Sequence, residues 1–177
     1  MHHLLLLRHA KAASGGPGIA DRERPLAPRG NRDAGLIGAA LAADGMIPDL
    51  VLCSPTRRTR ETLDGVVSRF PAAPRVIVVD SLYGAADGDY VQIISEFGGT
   101  AKRLLVVGHN PTIHATALAL AGSGDEALRT RLAGKFPTAG LALIAFKGKA
   151  WSATLPGSGE LIQLLRPRDL GSSEADD

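Results

Sequence analysis

Residues 4–10 read LLLLRHA and residues 104–111 read LLVVGHNP. Each places an unbroken apolar run just ahead of a histidine. A run of four apolar residues that stops abruptly at polar ones reads as a short strand covered on both faces, the kind found in parallel sheets. Residues 50–55, LVLCSP, follow the same plan and end on Ser-Pro. The spacing predicts strands over 4–7, 50–53 and 104–107, with a further one over 76–79.

Between these runs the period changes. Ala34, Ile37, Ala40 and Leu41 recur at helical spacing from about residue 28 to residue 44, and Gly45 is a suitable stop. Leu63, Val66, Val67 and Phe70 form the apolar stripe of a second helix, for which Ser54-Pro55 supplies a cap and a first-position proline. Residues 90–97 read as a helix ended by Gly98-Gly99. Asn110-Pro111 repeats the cap-then-proline signal and opens a helix to about residue 121, with Asn110 as its cap. Beyond that, 141–146, 153–155 and 161–165 read as strands, joined by turns at 147–149 and 156–159. Alternating strands and helices predict an α/β fold: three layers, with a mostly parallel central sheet between helices. Residues 1–170 read as a single domain and 171–177 as a disordered acidic tail.

Composition narrows the field. The chain has 177 residues, 45% hydrophobic and 21% charged, so it can bury a core and is neither disordered nor a coiled coil. A formal charge of +2 gives no case for nucleic acid. Arginine outnumbers lysine 15 to 5, and arginine is the better fork for phosphate or carboxylate. One cysteine, Cys53, excludes an internal disulfide and fits a reducing compartment. It reads as an inert buried thiol. No stretch is long enough for a membrane span, so the expectation is a soluble, cytoplasmic protein without a membrane partner.

In parallel α/β sheets, ligands bind beyond the carboxyl ends of the strands. Here those ends carry Arg8-His9, Ser54 to Arg58, and Gly108-His109-Asn110. Two of them also open helices, whose free N–H groups favour an anion. Two imidazoles and at least two guanidinium groups around such a point ask for phosphate. Helical side chains lean toward the N-terminus, so an arginine early in the second helix reaches back over the strand ends. Spacing alone does not choose among Arg57, Arg58 and Arg60.

The three segments together resemble the histidine phosphatase superfamily, of phosphoglycerate mutase-like fold. LLLLRHAKA is similar to its Arg-His-Gly opening, with Ala10 in place of glycine. CSPTRRTRETL resembles its Ser-x-x-x-Arg-x-x-x-Thr segment, and LLVVGHNP its second-histidine segment. The Ala-Lys after the histidine, DRERPLAPRG, KFPTAGLAL and the closing RPRDL resemble the small SixA-like phosphohistidine phosphatase branch. The resemblance implies that His9 is the nucleophile and becomes phosphorylated. It implies that Arg8 and Arg58 hold the phosphoryl oxygens and that His109 is the second pocket histidine. Lys11 stands open between pocket and surface. No metal or other cofactor is implied. The implied substrate is a phosphohistidine protein, such as a histidine phosphotransfer domain, with inorganic phosphate as product. Two alternatives stand beside it: a phosphatase for small phosphomonoesters, and a non-catalytic anion- or phosphoprotein-binding module.

One departure bears on mechanism. Relatives commonly carry a glutamate general acid in a LYEA-like stretch, where this chain reads Leu82-Tyr83-Gly84-Ala85. Asp80 and Asp87 lie nearby in sequence and Asp21 is a further candidate, and the sequence places none of the three at the leaving group. Imidazole binds a proton near neutral pH, so a phosphohistidine substrate needs less help to depart than an alkoxide. Bland roles suffice elsewhere: a solvated helix face for Arg57 and Arg60, pairing with acids for Arg22 and Arg24, packing or surface for His114, and packing against a late strand for Trp151.

Overall fold

A computed structural model describes residues 1–86, 89–148 and 150–171. Asp87, Lys149 of the expected 147–149 turn, and the expected tail past Gly171 lie outside the described residues. The elements in chain order are β1 (His2–Arg8), α1 (Pro28–Ala43), β2 (Leu50–Cys53), α2 (Arg57–Val67), β3 (Arg75–Val78), α3 (Asp89–Phe97), β4 (Arg103–Gly108), α4 (Thr112–Leu120), β5 (Ala121–Gly124), α5 (Glu126–Ala133), β6 (Leu141–Phe146) and β7 (Gly159–Leu165).

The described strands form one sheet in the order β3-β2-β4-β1-β6-β7-β5. Strands β1 to β4 are mutually parallel, β5 runs parallel to β7, and β6 is antiparallel to both β1 and β7. The fold is therefore α/β with a mostly parallel sheet, as the sequence predicts. Alternation along β1 explains the layers. Leu4 and Leu6 face a core with Tyr90, Ile94, Ile113 and Trp151; Leu5 and Leu7 face the other, with Ala34, Ile37, Leu63 and Val66. Helices α1 and α2 thus cover one face, and α3, α4 and α5 the other. The α1–α2 contact is close because Gly38 has no Cβ: one added there would lie 2.3 Å from the Val66 carbonyl oxygen.

Three local expectations are corrected. Residues 153–155 are not a strand. A 3-10 turn spans Trp151–Ala153, where the buried Trp151 donates its Nε1–H to the Ala101 carbonyl. Ser54-Pro55 does not open α2. The N-cap is Thr56, whose Oγ1 accepts from the Thr59 N–H. Helix α4 opens at Thr112 behind Pro111, so Asn110 is not its cap. The strand β5 and the helix α5 that follow α4 were not expected.

Candidate active site

Register sets the site. Leu7 and Cys53 both pair with Val107, and Arg8 pairs with Gly108. The next residues along the three strands are therefore His9, Ser54 and His109, side by side at one edge. His9 extends the ladder by one rung, its N–H donating to the Gly108 carbonyl and its own carbonyl accepting from the Ala139 N–H. Thr62 ties this rung to α2. Its Oγ1 accepts from the Ala10 N–H at 2.9 Å and donates to the Arg58 carbonyl at 2.7 Å.

The His9 and His109 rings stand 5.3 Å apart between centroids. His9 Nδ1 lies 2.8 Å from the Ala10 carbonyl oxygen. A carbonyl can only accept, so Nδ1 carries the proton and Nε2 keeps its lone pair. Burial, with Arg58 and Arg8 nearby, pulls His9 down to about 4 against the opposing hydrogen bond to Ala10. Burial, with His9 and Arg58 beside it, pulls His109 down to about 3. Both imidazoles are neutral at pH 7.

His109 is fixed from two sides. Its Nε2 is 2.7 Å from the hydroxyl of the fully buried Ser54, and its backbone N–H donates to the Tyr90 hydroxyl at 3.2 Å. The Tyr90 hydroxyl in turn donates to the Leu82 carbonyl at 2.7 Å. Sequence reasoning missed both partners. The signal for Ser54 was its place beside a strand end, which was spent on a capping role. For Tyr90 the signal was Gly108, where a Cβ would lie 2.5 Å from the tyrosine oxygen.

His9, Arg58, Tyr83, Gly84, Tyr90 and His109 are among the residues lining a cavity of about 270 Å³. Arg58 is selected from its neighbours by geometry. Its side chain is 8% exposed and reaches back over the strand ends. Arg57 instead pairs with Glu61 on the helix surface, and the exposed Arg60 donates to the Pro55 carbonyl. Arg8 lies outside the lining, its Nη1 donating to the Phe136 carbonyl, yet its charge still bears on both histidines. Lys11 also lies outside the lining, and its carbonyl accepts from the Ala27 N–H. Asn110 donates its amide to the Phe136 carbonyl at 3.0 Å, and His114 stacks on Phe136.

No carboxylate is among the described lining residues, and Gly84 stands at the wall with φ of +74°. The acid paired with Arg58 is Asp21, from the 3-10 turn Asp21–Glu23. It accepts from Arg58 Nη2 at 3.0 Å and from the Tyr83 hydroxyl at 2.6 Å. Tyr83, then Arg58 and Arg24, hold Asp21 down at about 2 against its partial burial. Such a carboxylate is ionised at neutral pH and cannot serve there as a proton donor. Among the described residues no group of three or more His, Cys, Asp or Glu is placed to hold a metal ion. No helix there is long and apolar enough to cross a membrane.

No family model matches the chain. An uncharacterized protein of Mycobacterium tuberculosis is 44% identical over 164 residues, covering 92% of this chain and 100% of that protein. Among solved structures, the candidate phosphohistidine phosphatase SixA of Agrobacterium tumefaciens is 32% identical, with a TM-score of 0.79 over 94% of this chain and 98% of that one. Its counterpart from Nakamurella is 30% identical, with a TM-score of 0.80 over 94% and 96%.

Proposed function

The chain belongs to the histidine phosphatase superfamily, in its SixA-like branch, and from that premise we propose that it hydrolyses phosphohistidine in a protein through a covalent phospho-His9 intermediate. The observation that carries the reading is the state of His9. Its Nδ1–H is committed to the Ala10 carbonyl, so Nε2 faces the site neutral and unprotonated.

In the first step Nε2 of His9 attacks phosphorus and the P–N bond of the substrate breaks. The electron pair of that bond leaves with the substrate imidazole, whose ring carries a proton on its other nitrogen and so departs neutral. In the second step water attacks phospho-His9. Its proton goes to solvent, the P–Nε2 bond breaks, and inorganic phosphate leaves. Splitting one displacement into two is the gain from covalent catalysis. Arg58 holds the phosphoryl oxygens, Arg8 adds its positive charge from just outside the lining, and His109, neutral and pinned by Ser54, hydrogen-bonds to those oxygens.

Two features favour a P–N substrate over a phosphate ester. The described wall carries no acid that could protonate an alkoxide, and Gly84 occupies the place where relatives have glutamate. A histidine phosphotransfer domain, which carries a phosphohistidine side chain, is a partner of the right kind. The deciding experiment compares kcat/KM on a phosphohistidine protein with a panel of phosphomonoesters. A higher value on the protein supports the reading, and a higher value on a sugar phosphate or nucleotide overturns it. His9→Ala is to abolish turnover of either class.

A further inference from the structure

The guanidinium of Arg58 already holds an anion in the free protein. Nη1 donates to the Asp21 carbonyl at 2.8 Å and Nη2 to Asp21 Oδ2 at 3.0 Å. The same carboxylate oxygen receives the Tyr83 hydroxyl at 2.6 Å, and Oδ1 receives Arg24 Nη1 at 3.3 Å. One carboxylate oxygen and the main-chain carbonyl of the same residue thus fill the guanidinium fork, as two phosphoryl oxygens would. The two partners differ in freedom. The Arg58 side chain is 8% exposed and that of Asp21 is 50% exposed. The turn that carries Asp21 buries none of its residues. The arginine is thus the fixed partner and the carboxylate the one that can yield.

We propose that Asp21 is a specificity-determining residue: it competes with phosphoryl oxygens for Arg58, and its charge selects substrates whose leaving group brings an N–H donor. The second half rests on the phosphohistidine reading above. A small dianion that enters must displace the carboxylate from Arg58 and then lie beside it, like charge against like charge. A phosphohistidine ring protonated on its remote nitrogen offers that carboxylate a new donor. The pairing favours the protonated ring, so neutral imidazole rather than imidazolate leaves when the P–N bond breaks. Asp21 gives up no proton in this step, in keeping with its ionised state. The arrangement also accounts for a site that works without a glutamate at residue 84: the proton arrives on the substrate and the enzyme supplies its counter-charge.

The test is Asp21→Asn in the full chain, a substitution of nearly equal shape on a half-exposed side chain. The inhibition constant for vanadate is expected to fall roughly three- to tenfold, the range for one charge-assisted pair near a surface. The ratio of kcat/KM on p-nitrophenyl phosphate to that on 3-phosphohistidine is expected to rise by a similar factor. Tyr83→Phe, which removes one bond to the same oxygen, is expected to shift both quantities less and in the same direction. An unchanged or raised vanadate constant in Asp21→Asn overturns the competition for Arg58. An unchanged or lowered substrate ratio overturns the selection. Wild-type enzyme that turns over p-nitrophenyl phosphate but no phosphohistidine defeats the substrate reading and the selection with it, while the vanadate comparison still decides the competition.

Discussion

The Ser54 hydroxyl stands 2.7 Å from Nε2 of His109, joining the ends of β2 and β4 through their side chains as the sheet joins them through the backbone. Ser54 follows the last β2–β4 rung, Cys53 with Val107, by one residue and His109 follows it by two, so the bond needs no loop to form it. Ser54 is fully buried, and removing its hydroxyl takes away the group that fixes the ring. Ser54→Ala is therefore expected to lower kcat by about tenfold, the effect of about 1.4 kcal/mol, within the cost of a lost buried hydrogen bond. KM is expected to change much less. Steady-state kinetics on p-nitrophenyl phosphate checks this, and a kcat within a factor of two of wild type contradicts it.

Gly108 gives a second handle on the same histidine. A Cβ there would lie 2.5 Å from the Tyr90 hydroxyl and 2.7 Å from its ring, and Tyr90 is fully buried and held by its hydroxyl to the Leu82 carbonyl. Gly108→Ala is expected to destabilise the protein by roughly 1–3 kcal/mol, as overpacked cores are, and to cut activity as the rung before His109 shifts. Tyr90→Phe keeps the ring and loses only the bridge from Leu82 to His109. It is expected to fold well and to lose activity. Thermal melts beside kinetics separate the two, and a fully active Gly108→Ala protein would show that the close approach is not needed.

The strands that build this site were legible because they are continuous apolar runs with polar stops. The expected bounds of β2 and β6 coincide with those observed, 50–53 and 141–146. Where the sequence misled, a tertiary partner overrode local chemistry. Residues 121–124, AGSG, have little strand propensity, and pairing with β7 makes them a strand. Residues 153–155 look extended, but the burial of Trp151 curls the chain just before them. Ser54 and Asn110 look like caps, and both side chains are instead spent across the sheet edge, on His109 and on the Phe136 carbonyl. His9 and His109 stand out at strand ends, whereas Arg58 is told from Arg57 and Arg60 only by the resemblance that the three segments carry together. Their supports Ser54, Tyr90 and Thr62 were not legible, because each acts through a contact distant in sequence.

Cys53 tests the packing of the same sheet edge. It is fully buried at the end of β2, and burial pushes its thiol up to about 12. The thiolate is the reactive form, so both access and ionisation protect it. Native protein is expected to leave Ellman's reagent unreacted over an hour, to react with one equivalent in denaturant, and to keep full activity after iodoacetamide. Rapid labelling of the native protein would show that this edge opens readily.

The depressed histidines predict how activity and stability depend on pH. Free imidazole titrates near 6.5, whereas His9 titrates at about 4 and His109 at about 3. Nucleophilic attack needs neutral His9, so its titration is expected to place the acid limb of kcat/KM on p-nitrophenyl phosphate near 4, after correction for ionisation of the substrate. A limb near 6.5 assigned to His9 contradicts the buried, cation-flanked site. Stability moves with the opposite partner in the equilibrium. Above 6.5 both folded and unfolded imidazoles are neutral, and neither histidine contributes a pH slope. As pH falls from 6.5 toward 4 the unfolded chain takes up protons that the folded one refuses, so stability falls. The slope is at most about 1.4 kcal/mol per pH unit for each histidine. Urea melts of wild type and His109→Gln at pH 7 and pH 5 check the sign: the wild type is expected to lose more stability on acidification than the variant, and equal losses would mean that His109 titrates alike in both states.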